Sequence, residues 1–264
     1  MPELRPLEVA SRKRLYAAGS DGAYEVLELG TPLGIDLWDD HFMGDQMRYD
    51  ATAPWAYQST ASGTGAGVAA ISAGLVGGQA FLDPGSDDDG RSDISLGLHF
   101  TGSRFAVCIW RFRTGDGLGS AKFELGFTDV VSGTDAGAVN AKSTPTFNAS
   151  DAALLVLDTD DDTLLTLVGV QAGTAATASD FTTALANNTF YYGVVALRGT
   201  RAAGYLLDTD GNVLERQPTS GYMENAVTAA TLLTPWAFAQ NRSAAQRRVY
   251  LDRLKCYQFA TPSS

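Results

Sequence analysis

Carboxylate pairs are the first residues to test for chemistry in this sequence. Retaining glycoside hydrolysis needs two carboxylates about 5 Å apart, which a strand supplies from alternate positions on one face. Glu124 lies in a strand-like segment, but the residues two positions away are Lys122 and Gly126. Asp252 has no acidic residue at those positions either. We therefore predict no glycosidase site. A glycoside hydrolase that depends on Glu124 is kept as the third possible function, after the two that are described below.

Nucleophilic catalysis by serine or cysteine needs a histidine base. The chain has two histidines, His41 beside Asp40 and His99 in an apolar run, and we interpret both as structural. Cys108 and Cys256 lie in strand-like segments without the spacing of metal ligands. We expect buried free thiols there, and a single bridge between them stays open. The prediction is a protein with no enzyme activity and no cofactor.

Three aspartate-rich loops, residues 83–90, 158–162 and 208–212, could supply oxygen ligands for Ca²⁺. The last of them matches the start of a calcium-binding loop but lacks its later acidic ligands. Aspartate and glycine are also the usual residues of tight hairpin turns. We therefore predict plain turns and no metal site.

Exposed aromatic rings could form a platform on which sugar rings stack. The candidates are Trp55, Tyr57, Tyr191, Tyr192, Tyr222 and Trp236. Core packing in a β-protein explains most of these rings as well, particularly Trp236 within an alternating segment. Carbohydrate binding is therefore an alternative function that the residues leave open.

Short alternating segments must position these side chains. Residues 105–113 and 122–128 alternate between an apolar face and a second face. Further strand-like segments are residues 154–157, 164–170, 190–197, 203–207, 213–216, 236–239 and 249–259. Helical signals are confined to residues 179–186 and 225–233, each too short to form a layer. Many short strands separated by Gly, Asp, Asn and Pro indicate an all-β antiparallel sandwich or barrel.

The charge of the chain is unevenly distributed. The 264 residues carry a net charge of −11, which argues against nucleic acid or an anionic membrane as partner. Residues 1–16 carry +2 and residues 241–264 carry +4, so the part between them carries −17. No apolar run approaches the ~20 residues of a membrane span, and no targeting signal is visible. We interpret residues 1–34 as an N-terminal arm and residues 35–264 as one large domain.

A series of weak motifs from Trp38 onward resembles a known family. The motifs are Trp38-Asp-Asp-His-Phe-Met-Gly44, Gly63-Thr-Gly-Ala-Gly67, Gly77-Gly78, and the segments 123–129, 205–212, 233–236 and 249–254. Over residues 38–259 they resemble the concanavalin A-like (lectin/glucanase) jelly-roll structural proteins of tailed-phage virions. The resemblance implies an all-β, two-sheet antiparallel jelly-roll sandwich with an extended N-terminal arm. It also implies a non-enzymatic virion protein that decorates and stabilises the capsid surface.

The arm and its charge suggest how such a protein would attach. Arg5, Arg12, Lys13 and Arg14 are the residues that we expect to dock on the major capsid protein or another virion subunit. The resemblance further implies a homo-oligomer on the capsid surface, made in the host cytoplasm. Under the alternative, the partner is a glycan of the host or of another surface. Neither nucleic acid nor a membrane is expected as a partner.

Overall fold

Two antiparallel sheets of eight strands each build the fold. The computed structural model describes residues 36–42, 57–72, 78–115, 118–131 and 137–259 with their side chains, and the backbone of residues 4–9, 12–17 and 35. Within these ranges, the helices are single 3-10 turns, at Gly102–Arg104 and Leu118–Ser120, and none could span a membrane. The predicted two-sheet all-β architecture is confirmed.

The two sheets are named here by what covers them. The front sheet contains, in spatial order, β18 (Val213–Gln217), β17 (Arg201–Leu207), β16 (Phe190–Arg198), β8 (Val107–Thr114), β20 (Val249–Phe259), β6 (Ala80–Asp83) and β5 (Gly67–Ile71), and β3 (Ile35–Asp40) pairs with the C-terminal half of β20. The back sheet contains β14 (Thr174–Ala175), β13 (Asp162–Gln171), β12 (Ala152–Asp158), β9 (Ala121–Thr128), β19 (Thr234–Asn241), β7 (Arg91–Ser95) and β4 (Ala61–Ser62), and β15 (Ser179–Asp180) also pairs with β13.

Two further pairs of strands lie outside these sheets. They are β1 (Leu4–Val9) with β2 (Arg12–Ala17), and β10 (Val139–Ala141) with β11 (Thr146–Phe147). The predicted arm therefore contains a two-stranded hairpin. Because sequence alternation is weak there, the hairpin was not expected.

The main core lies between the two sheets and follows the alternation of the sequence. In β8, Trp110 and Phe112 are buried, whereas the residues on either side of them along the strand are partly exposed. Phe123 and Phe127 of β9 enter the same core from the back sheet, and the ring centroids of Phe112 and Phe123 are 5.4 Å apart. Burying one such side chain contributes about 1.5–3 kcal/mol, so this alternation drives the two sheets together.

A second apolar cluster covers the outer face of the back sheet. Residues 137–149, here the cover segment, lie over β9, β12 and β19. The segment packs Ala138 and Val139 against Trp236 and Phe238 of β19. Within the described part of the chain, the outer face of the back sheet is therefore buried, whereas the outer-facing residues of β8 in the front sheet are partly exposed.

The Trp38 motif forms a structural junction at the edge of the front sheet. The Asp40 carboxylate accepts hydrogen bonds from the Tyr57 hydroxyl (2.8 Å) and from the N–H of Phe42 (2.6 Å). The indole N–H of Trp38 donates to the same hydroxyl at 3.2 Å. Burial, followed by the charge of Asp40, raises the pKa of the Tyr57 phenol, so the hydroxyl keeps its proton and can donate it. The motif thus joins β3 to the strand region around Tyr57.

The last strand contains a bulge that the sequence did not reveal. Register shifts between Leu251 and Arg253, so Asp252 is the extra residue of β20. As a result, Leu251 and Leu254 both enter the core, while Asp252 and Arg253 are partly exposed. Strict alternation along the strand would instead put Leu254 on the same face as Asp252.

The two short helical segments predicted from the sequence do not form. Residues 179–186 begin with β15 and continue without regular structure, because β15 pairs with β13 and Phe181 is buried in the main core. Residues 225–233 form turns, in which Asn225 has a φ of 54°. Packing against the sandwich outweighs the weak local helix signal in both segments.

The two cysteines are free. Cys108 of β8 and Cys256 of β20 lie directly opposite each other in register, and both are buried in the main core. Burial raises the pKa of the Cys256 thiol. The bridge that the sequence left open is absent, as expected for thiols held in an apolar core.

Candidate functional site

A groove of about 790 Å³ lies where edges of the two sheets meet. One wall is residues 171–179, which connect β13 to β14 and β15 of the back sheet. The other wall is residues 218–225, which follow β18 of the front sheet. The Ser179 hydroxyl donates a hydrogen bond of 2.8 Å to Oε1 of Gln217 and so ties the two walls together. The groove is therefore part of the sandwich rather than an isolated loop.

Tyr222 lines the groove with a partly exposed ring. The guanidinium carbon of Arg216 lies 5.6 Å from the ring centroid of Tyr222 and 5.6 Å from that of Tyr205. Arg216 also donates a hydrogen bond from Nη2 to the carbonyl oxygen of Gly221. A cation over an aromatic face is worth about 0.5–1 kcal/mol at exposed sites. The ring of Tyr222 is thus held in place before any ligand arrives.

The groove wall offers mainly neutral hydrogen-bonding groups. Its polar side chains belong to Gln171, Thr174, Thr177, Ser179, Tyr222, Glu224 and Asn225. Amide, hydroxyl and phenol groups both donate and accept hydrogen bonds, as sugar hydroxyls do. Glu224 is the single carboxylate among the lining residues, and its Oε2 lies 3.4 Å from Nε of Arg201. Because two-carboxylate hydrolysis needs a pair, this groove is suited to binding rather than to that chemistry.

The aromatic candidates from the sequence separate into two groups. Tyr57, Tyr191 and Trp236 are buried, so they pack rather than present a platform. Tyr222 lines the groove, and Tyr192 is partly exposed on the outer face of the front sheet. Trp55 lies outside the described residues. The exposure of each ring decides which group it belongs to. Sequence alternation does not predict that exposure, because it does not show whether another segment covers the sheet.

A cross-strand row of arginine and aromatic side chains lies on the outer face of the front sheet. In register, Phe81 of β6 faces Tyr250 of β20, which faces Arg113 of β8, which faces Phe190 of β16. The guanidinium carbon of Arg113 lies 4.2 Å from the ring centroid of Tyr250 and 5.4 Å from that of Phe190. These four residues are named the arginine–aromatic row. Alternation along β8 puts Arg111 and Arg113 on one face, and strand pairing alone brings their neighbours on three other strands beside them.

Three other arginines near this row are paired with carboxylates. Arg111 pairs with Asp252, Arg253 with Asp39, and Arg248 with Asp83. Arg113 instead donates hydrogen bonds to two neutral amide oxygens, Oδ1 of Asn188 at 2.8 Å and Oε1 of Gln79 at 3.4 Å. Among the residues that the structure describes, no carboxylate forms an ion pair with Arg113.

Glu124 is fully buried under the cover segment. Its carboxylate accepts hydrogen bonds from the N–H groups of Ala138 (2.9 Å) and Val139 (3.0 Å) and from the indole N–H of Trp236 (2.9 Å). Nζ of Lys122, also fully buried, lies 3.2 Å from Oε1 of Glu124. The residue on which the glycosidase alternative depended is therefore an internal anchor without access for a substrate.

Two of the three aspartate-rich loops contact an arginine of the protein itself. Arg242 donates from Nε and Nη2 to Asp158, and its nitrogens lie within 3.5–3.6 Å of Asp89 and Asp160. In the third loop, the side-chain amide and then the backbone N–H of Asn212 lower the pKa of Asp208. Within the described ranges, no group of three His, Cys, Asp or Glu side chains is arranged to hold a metal ion.

Two groups of residues singled out in the sequence remain, the two histidines and the four basic residues of the arm. Nε2 of His41 lies 3.8 Å from Oδ1 of Asp39, and burial lowers the pKa of His99. The four basic arm residues, Arg5, Arg12, Lys13 and Arg14, fall in β1 and β2, and their side chains lie outside the described residues. Docking through the arm stays a prediction.

Comparison with solved structures identifies the fold. A Shewanella oneidensis protein of unknown function aligns with a TM-score of 0.58 at 15% identity, covering 87% of this chain and 90% of that protein. Peanut lectin aligns with a TM-score of 0.54 at 7% identity, covering 87% and 99%. The exoplasmic/lumenal domain of VIP36, bound to Ca²⁺ and Man3GlcNAc, aligns with a TM-score of 0.52 at 12% identity, covering 83% and 89%.

The chain has a concanavalin A-like fold. This confirms the fold that the sequence resemblance implied. No protein-family model matches the sequence, and no curated protein matches it. Identities of 7–15% show the fold alone, and none of the three similar proteins is named as a virion or capsid component. The virion origin, the homo-oligomer and the absence of enzyme activity stay predictions.

Proposed function

We propose that this protein is a non-catalytic carbohydrate-binding domain whose ligand occupies the groove between residues 171–179 and 218–225. The observation that carries the proposal is the groove with Tyr222 at its side, held by Arg216 and surrounded by neutral hydrogen-bonding groups. Small-ligand sites are concave, with a few convergent polar groups, and a ring fixed in advance lowers the entropic cost of binding.

The similar folds support the same ligand class. One of the similar structures is a lectin by name, and another carries Man3GlcNAc. On this proposal a sugar ring stacks on Tyr222 while amide and hydroxyl side chains such as Gln171 and Asn225 bind its hydroxyl groups. Glu224, as the single carboxylate of the groove, would accept hydrogen bonds from sugar hydroxyls.

A glycan array followed by calorimetry on the best glycan tests the proposal. We expect Tyr222→Ala to weaken binding by about tenfold or more, since stacking is worth about 1 kcal/mol and the lost ring also opens the groove wall. Tyr222→Phe keeps the ring and should bind within about threefold of the wild type. Tyr192→Ala, which removes a partly exposed tyrosine outside the groove, is the matched control. Wild-type affinity of Tyr222→Ala, or no saturable binding across the array, would overturn the proposal.

Capsid attachment is a separate hypothesis that rests on the resemblance and on the net charge of +2 at residues 1–16. Under it, the basic residues of β1 and β2 dock on an acidic surface of a virion subunit. Deletion of residues 1–30 should then abolish co-sedimentation with capsids while the sandwich stays folded by circular dichroism. Normal co-sedimentation of the truncated chain would reject the arm as the attachment element.

A further inference from the structure

Among the described residues, Arg113 on the outer face of the front sheet has no carboxylate partner. Arg113 lies at the centre of the arginine–aromatic row, between the rings of Tyr250 and Phe190. Two amide oxygens, from Asn188 and Gln79, each accept one hydrogen bond from its terminal nitrogens. A guanidinium has five N–H donors, so each terminal nitrogen of Arg113 retains one N–H beyond these two bonds. Its Nε is buried and has no hydrogen-bond partner among the described residues. Stacking and amide contacts fix the side chain in advance.

Three other arginines of this face are each paired with a carboxylate, and Lys255 lies 3.8 Å from the same Asp39 that pairs with Arg253. Asp252, Asp39 and Asp83 neutralise Arg111, Arg253 and Arg248. Among the described residues, Arg113 therefore contributes one uncompensated positive charge. A planar guanidinium that retains an N–H on each terminal nitrogen can donate to the two oxygens of a carboxylate.

The shape of the face favours an extended ligand. The row crosses four neighbouring strands, which spans about 14 Å at the usual strand spacing of about 4.8 Å. Phe81 and Tyr250 on one side and Phe190 on the other flank Arg113. The guanidinium carbons of Arg248 and Arg111 lie 5.2 Å and 4.3 Å from the ring centroids of Phe81 and Phe190. Apolar sugar faces can pack on the ring surface that these groups leave free while one acidic group reaches Arg113.

We propose that the arginine–aromatic row binds an oligosaccharide that contains a carboxylate-bearing sugar, at a site separate from the groove. A nucleic acid is disfavoured because its affinity rests on many phosphate contacts, whereas this row has one uncompensated charge and the whole chain carries −11. The groove ligand and the acidic ligand are independent, so either proposal can fail without the other.

Oligogalacturonate and its fully methyl-esterified form provide the test, because one methyl group on each carboxyl removes the charge and leaves the sugar rings unchanged. The full chain should bind the acidic form about tenfold or more tighter than the ester. Arg113→Gln should remove that difference, and Arg113→Lys should keep the charge but restore only part of it, since an ammonium lacks the planar fork. Melting curves of both variants check that the sandwich stays folded.

Two controls separate a local site from general attraction. Arg198→Gln removes the same charge from an exposed position at the end of β16 and should leave binding unchanged. Tyr222→Ala alters only the groove and should also leave oligogalacturonate binding unchanged. Equal affinity for the acidic and esterified forms, or an equal loss in Arg198→Gln, would overturn the proposal.

Binding of either of two other partners at this face would also overturn the proposal. Single-stranded DNA that binds more tightly than oligogalacturonate, with the difference lost in Arg113→Gln, would assign the row to nucleic acid. A dimer in sedimentation velocity that Arg113→Gln dissociates would assign the row to a second copy of this chain.

Discussion

The outer faces of the two sheets carry the same kinds of residues in opposite surroundings. On the back sheet, the ion pair Lys122–Glu124 is fully buried beneath the cover segment. On the front sheet, the side chains of the ion pair Arg111–Asp252 are 25% and 23% exposed. Each face also places a cation near a ring: Lys122 lies 5.6 Å from Phe238, and Arg111 lies 4.3 Å from the ring of Phe190.

The difference shows that access to water, rather than residue type, decides the role of these charges. A buried charge must have every hydrogen-bonding position filled, and Glu124 meets that requirement with two backbone N–H groups, an indole and an ammonium. A partly exposed charge has water as an alternative partner, so a residue such as Arg113 does not need a carboxylate. In the described part of the chain, the covered face therefore holds the fold together, whereas the front face keeps partly exposed charges.

The largest effect is expected from Glu124→Ala on the covered face. The substitution leaves the ammonium of Lys122 buried without its carboxylate and removes the acceptor of three N–H groups. We expect a loss of about 3–5 kcal/mol in the free energy of unfolding, measured by urea denaturation. The double variant Lys122→Met with Glu124→Ala should recover part of that loss. A single-variant loss below about 1 kcal/mol would contradict the proposed anchoring role.

The next effect compares two buried tryptophans. Trp236 donates to Glu124, whereas Nε1 of Trp110 in the main core is buried and has no hydrogen-bond partner among the described residues. Trp236→Phe should therefore cost about 1–3 kcal/mol more than Trp110→Phe, because it removes a hydrogen bond to a charged group. Thermal unfolding of both variants measures the difference. Equal costs would mean that packing alone accounts for Trp236.

A smaller effect is expected on the front face. Asp252→Asn removes the ion pair with Arg111, but water can solvate the guanidinium, since both side chains are partly exposed. The free energy of unfolding should fall by less than about 1 kcal/mol, and less still at high salt. A loss as large as that of Glu124→Ala would break the distinction between the two faces.

The smallest effect concerns pH and a carboxylate at the edge of the front sheet. Glu215 of β18 is partly buried, which alone would raise its pKa, but hydrogen bonds from the N–H groups of Thr182 and Thr183 lower it below 4.5. A depressed pKa stabilises the fold above the unfolded-state value, and that contribution is lost as pH falls through the folded-state pKa. Glu215→Gln should therefore melt at a lower temperature than the wild type at pH 7. The two melting curves should converge well below pH 4.5, and a difference that persists there would contradict this role.

Much of the fold could be predicted from the sequence because strand alternation is a local signal. The strand expected at residues 249–259 forms with those bounds, and the faces expected for residues 107–112 and 123–127 are the observed ones. The bulge at Asp252 could not be predicted, because one extra residue shifts the alternation without any change in composition.

The candidate sites were predicted only in part. Tyr222 was among the aromatic candidates, but the groove brings residues 171–179 next to residues 218–225, which are far apart in the sequence. The arginine–aromatic row likewise combines β6, β8, β16 and β20. Glu124 was the acidic strand residue examined for catalysis, and the cover segment gives it a structural role instead.

The sequence by itself determined that the protein is all-β, where most strands lie and which residues point to opposite sides of each strand. Only the tertiary structure decided which outer face is covered and which is open. The physical reason is that a period of two residues separates two faces of a strand but carries no information about what packs on either face. The same spacing of two residues separates Lys122 from Glu124 and Arg111 from Arg113. The cover segment, residues 137–149, makes Lys122 and Glu124 part of a core.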